Sequence, residues 1–60
     1  MRTPEIFLLE TKRLTAIADD PASTLGEKLR ALCALYFWYQ GDVHMQARTV
    51  RKIEDIARTI

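Results

Sequence analysis

The sequence predicts an all-α protein of three helices, at about 4–19, 24–40 and 42–58, packed as a small helical bundle that dimerisation completes. Three observations carry this expectation. Helix start signals occur three times, turn residues separate the segments, and no run alternates polar and apolar residues for long enough to make a strand. Residues 1–60 read as one helical domain.

The first helix opens with Thr3 as N-cap, Pro4 at the first helical position, where a missing N–H costs nothing, and Glu5 beside the positive end of the dipole. It is expected to end near Asp19, because Pro21 drives Asp20 out of the helical region. The second helix starts at Thr24-Leu25-Gly26-Glu27, the spacing of a capping box; Asp20 ahead of Pro21 is a competing start that adds a short extra turn. Gly41 supplies the left-handed residue that ends it, and Asp42 caps the third helix.

At about 100° per residue, Leu25, Leu29, Leu32 and Tyr36 fall on one stripe of the second helix, flanked by Cys33 and edged by Tyr39. That stripe is the expected internal core. Ala31, Ala34 and Trp38 share another face, and no charged side chain occurs between Arg30 and Asp42. A helix apolar all round is normally surrounded. A second molecule is therefore expected on the face of Ala31, Ala34, Phe37 and Trp38, with Leu8 at the rim and the Glu10–Arg13 pair setting register. The alternative keeps Phe37, Trp38 and Tyr39 inside the chain's own core. In the third helix, Val43, Val50, Ile53, Ala57 and Ile60 form an a/d seam with Gln46 in one d position.

Composition limits what the protein does. Hydrophobic residues make up 48% and charged residues 28%, with two Gly and two Pro, as in a globular chain and unlike a disordered one. The net charge of +1 provides no global field toward nucleic acid or an anionic membrane. The longest apolar run, Ala31–Tyr39, is about half of a membrane span, and Ile6–Leu9 is too short for a signal peptide, so no membrane association is expected. One cysteine forms no internal disulfide, which fits a reducing, cytoplasmic setting. Folding at this size buries about 6,000 Å², about 3,600 Å² of it apolar, which contributes roughly 90 kcal/mol against an ordering cost of about the same amount. So slim a balance favours help from outside the chain.

Chemistry is sparse. Cys33, Asp42 and His44 do not stand at zinc-ligand spacing, so no metal and no cofactor is expected, and Cys33 is expected to be buried and inert. Ser23, Asp42 and His44 supply nucleophile, acid and base types, yet Ser23 lies in a capping segment without elbow glycines, so no catalytic residue and no enzyme is expected. The third helix carries His44, Arg48, Arg51, Asp55 and Arg58 in one column with Lys52 beside it, a basic column that Glu54 and Asp55 interrupt. Together with the turn at Gly41 this invites a helix-turn-helix reading, but Phe37 stands four residues before the glycine, where a small residue is needed for close crossing. The expected function is a small intracellular regulator or inhibitor that is itself a homodimer and binds a larger protein through a helical surface. The alternative is a nucleic-acid-binding regulator that uses the basic column.

Overall fold

A computed structural model of the chain describes residues 3–59. They form α1 (Pro4–Asp19), α2 (Leu25–Trp38) and α3 (Val43–Arg58), with no strand among the described residues. Ile60, the last position of the expected seam, lies outside them. The helix ends follow the cap chemistry. Thr3 accepts a hydrogen bond from the Ile6 N–H at 3.1 Å, and the Asp20 carboxylate accepts one from the Ala22 N–H at 2.9 Å in the turn that Pro21 begins. Thr24 and Glu27 form the full capping box, at 3.1 Å and 2.8 Å. The N–H that Thr24 donates to Glu27 holds that carboxyl below the usual glutamate range, with a further contribution from the Thr24 side chain. Asp42 caps α3 through the Met45 N–H at 3.1 Å, and Gly41 before it has φ +91°, a conformation that glycine adopts without strain.

α2 packs against both other helices, and the molecule measures only 36 × 23 × 13 Å along its principal axes. α2 is therefore the middle helix of a small three-helix bundle, with α1 and α3 both packed on it. The buried apolar residues are Leu14 of α1 and Ala31, Leu32 and Leu35 of α2, with Ile17, Trp38, Ile53 and Ile56 among those packed around them.

The faces differ from the expected ones. On α2 the buried arc runs through Ala31, Leu32 and Leu35, leaving Leu25 and Tyr36 exposed and Leu29 half-buried. On α3 the packed side is Met45, Thr49, Lys52, Ile53 and Ile56; Val43, Val50 and Ala57 of the expected seam face outward. The cause is threonine. Thr49 is 4% exposed and donates its hydroxyl to the Met45 carbonyl at 2.8 Å; Thr11, also buried, donates to the Phe7 carbonyl at 2.8 Å. A hydroxyl satisfied by its own helix leaves the methyl group to pack, so these positions act as small apolar residues.

Candidate functional site

The five residues expected to meet a second molecule do not share one surface. Ala31 is 3% exposed and sits in the core cluster with Leu14, so it is not available to a partner: its short side chain serves the contact between α1 and α2 instead. Ala34 is half-buried in an open groove between those helices, lined also by Arg13, Leu14, Ile17 and Arg30. Trp38 is half-buried against the core, edge-on to Phe7 with ring centroids 6.2 Å apart, and Tyr39 meets the same ring at 5.9 Å. Both rings therefore belong to the α1–α2 contact. Leu8, 64% exposed, lies beside Thr11, Thr15 and Tyr39, while Phe37, 57% exposed, points from a different side of α2. The Glu10–Arg13 pair, at 2.7 Å, is a partly exposed link within α1.

Another apolar surface of α2 is largely exposed. Leu25, Leu29, Cys33, Tyr36 and Phe37 occupy an arc of about 120° on α2 at helical spacing. Cys33 is exposed there and not buried among leucines as expected. The Gln46 amide donates to the Tyr36 carbonyl at 3.3 Å, which places the neighbouring Val43 and Val50 of α3 along the edge of this arc. Periodicity alone finds the apolar stripe but not its partner, because the wheel does not say which side the other helices take.

The basic column is divided. His44, Arg48 and Arg51 line one shallow depression with Ala47. Lys52 turns to the inner side of α3, where its ammonium pairs with Asp19 of α1 at 3.4 Å, and Arg58 pairs with Asp55 at 3.4 Å. Three of the five expected cationic or titratable residues thus remain together, and Lys52 serves to tie α3 to α1.

Among the described residues, no three His, Cys, Asp or Glu side chains gather as a set able to hold a metal ion, and no helix is long and apolar enough to cross a membrane. No buried side-chain polar atom there lacks a hydrogen-bond partner. Comparison of the chain with protein-family models, with curated proteins and with solved structures gives no match in any of the three.

Proposed function

We propose that the chain is a small non-catalytic, protein-binding regulator or inhibitor of the cytoplasm, working as a homodimer and occupying a surface of a larger protein. One observation carries this reading. Eight large apolar side chains among the described residues are exposed, from Ile6 to Val50, against four apolar residues that are buried. Scattered exposed leucines are ordinary, but an excess of this kind marks surfaces made to be covered. The small charged depression at His44, Arg48 and Arg51 then stays free for the target.

That same depression favours the second reading, nucleic-acid binding by the outer face of α3, although Lys52 and Arg58 are engaged in ion pairs. One experiment separates the two. The tagged chain is used to capture partners from a nuclease-treated lysate, and is titrated in parallel with duplex DNA and with RNA over a range of salt. A protein retained after nuclease treatment, with no nucleic-acid binding, supports the protein-binding reading. Nucleic-acid binding whose salt slope falls by about one unit in each of Arg48→Ala and Arg51→Ala replaces it. No binding of either kind overturns both.

A further inference from the structure

We infer that the outer face of α3 around His44, Arg48 and Arg51 is the docking surface for an acidic amphipathic helix of another protein. This deepens the proposed function: it rests on the reading of the chain as a protein-binding module and names the chemistry of the target.

Two rows of side chains run side by side on this face. Val43, Ala47 and Val50 form one, and His44, Arg48 and Arg51, each one residue further along, form the other; both keep the i, i+4, i+7 spacing of a helix face. Each row covers about two turns, or about 10 Å of helix. All of these residues are exposed, Val43 at 74%, because α3 turns Met45, Thr49, Ile53 and Ile56 to its packed side. His44, Ala47, Arg48 and Arg51 together line the shallow depression, so the cationic and apolar rows meet in one concavity.

The two arginines are unpaired. The ion pairs among the described residues engage Arg13, Lys52 and Arg58 and leave Arg48 and Arg51 without a carboxylate. From Val43 to Arg51 the helix carries no acidic residue; Glu54 and Asp55 come only afterwards, and Asp55 is held by Arg58 at 3.4 Å. A guanidinium presents five N–H donors in a planar fork that grips a carboxylate two at a time. Arg48 and Arg51 stand one turn apart, so two carboxylates three or four residues apart on a facing helix reach both. The apolar stripe of that same helix then lies on Val43, Ala47 and Val50. Neither row alone names an occupant, and the two together match an apolar stripe with an acidic row beside it.

Nucleic acid fits this face less well. Two unpaired arginines neutralise two phosphates, and counterion release then strengthens binding only about 30-fold between about 1 M and 0.15 M salt, whereas ordinary non-specific binding has a Kd of about 10⁻⁴–10⁻⁶ M. Glu54 and Asp55 repel the phosphates that would follow, and the valine row finds no counterpart on a sugar–phosphate backbone. Valine and alanine also give a membrane surface little to hold, since helices that lie there insert leucine and aromatic side chains.

A displayed library of random peptides of about 16 residues, selected on the full chain at about 0.15 M salt, tests this. The selected peptides are expected to carry two Asp or Glu three or four residues apart beside an apolar stripe. A synthetic copy of the commonest one is expected to bind at least a hundredfold more weakly to the chain carrying Arg48→Glu with Arg51→Glu, and the same peptide with both acids changed to Lys is expected to recover binding to that variant. Tyr36→Ala, on the exposed face of α2, is expected to leave binding unchanged. If the double Glu variant loses its helical circular dichroism, Arg48→Gln with Arg51→Gln, which removes the charges alone, replaces it. Selected peptides without the acidic pair, or peptides that bind the variant as well as the chain, overturn the inference. Duplex DNA or RNA bound more tightly than about 100 µM and released by the double variant gives the face to nucleic acid and overturns it too, as does self-association of the chain that the double variant abolishes. Failure here leaves a protein captured after nuclease treatment standing at some other face, and so is distinct from failure of the protein-binding reading.

Discussion

The two sides of α2 are built from the same kinds of residue and meet opposite fates. Leu32, 1% exposed, and Leu35 are closed in by α1 and α3, whereas Leu25, Tyr36 and Phe37 on the same helix are exposed. Hydrophobicity does not distinguish them. What does is position relative to Leu14 and the Phe7 ring of α1 and to Thr49 and Ile53 of α3, so the inner side is core because neighbours reach it, and the outer side stays exposed because α1 and α3 pack elsewhere on α2. A small domain divides its apolar residues into those that hold it together and those that remain available.

The sharpest way to break this contrast is a matched pair of truncations. Leu32→Ala removes the most deeply buried side chain and is expected to cost about 2–5 kcal/mol, comparable to the whole stability of roughly 3–5 kcal/mol that so small a core supplies. Thermal melting followed by circular dichroism is then expected to show little cooperative transition. Tyr36→Ala is expected to change stability by less than about 1 kcal/mol. Equal losses at the two positions would show that the outer side is also core.

A second pair sharpens the role of threonine at the inner side. Thr49→Ser deletes a buried methyl and is expected to cost about 1 kcal/mol or more. Thr49→Val keeps that methyl and removes only a hydroxyl bonded to a carbonyl of its own helix, so the smaller loss is expected there. Denaturant titration of the two variants gives the order. The reverse order would mean that the hydroxyl, and not the methyl, is what α2 needs.

These threonines also mark how far the fold could be read from the sequence. The helix ends were legible because each cap is a local event: Thr3 with Pro4, Thr24 with Glu27 and Asp42 after Gly41 act within four residues, and the helices stop within two residues of the expected bounds. The packed faces were less legible because they depend on partners distant in sequence. With Thr49 left out of the apolar set, the expected stripe of α3 turned toward Val43 and Val50, and a helical wheel gave Ala31 a direction without saying that Leu14 lies in it. An excess of apolar residues around α2 was legible, and Phe37 among them is exposed in the structure. Which residues accompany it follows from how α1 and α3 divide the helix between them, and that is tertiary information.

A smaller effect is expected at the start of α2, which both sides of the helix share. Thr24→Ala removes the hydroxyl that accepts the Glu27 N–H and is expected to cost about 1 kcal/mol, measured by the same titration. Because the lesion lies at the helix end, it is expected to leave the inner and outer faces in the same register.

The smallest effect is a pH dependence from the other half of that capping box. The Thr24 N–H bonded to Glu27 lowers the Glu27 pKa in the folded chain, so the unfolded chain binds that proton more readily. The sign follows: the contribution is fully present above the ordinary glutamate value and is lost as pH falls through the lower folded value. Other carboxylates also titrate in this window, so the difference between the chain and Glu27→Gln isolates the effect. Melting temperatures of the two are expected to differ most at neutral pH and to converge as pH falls below the ordinary glutamate range. A constant difference would mean that Glu27 acts through its shape alone, and that the capping charge contributes nothing to holding either side of α2 in place.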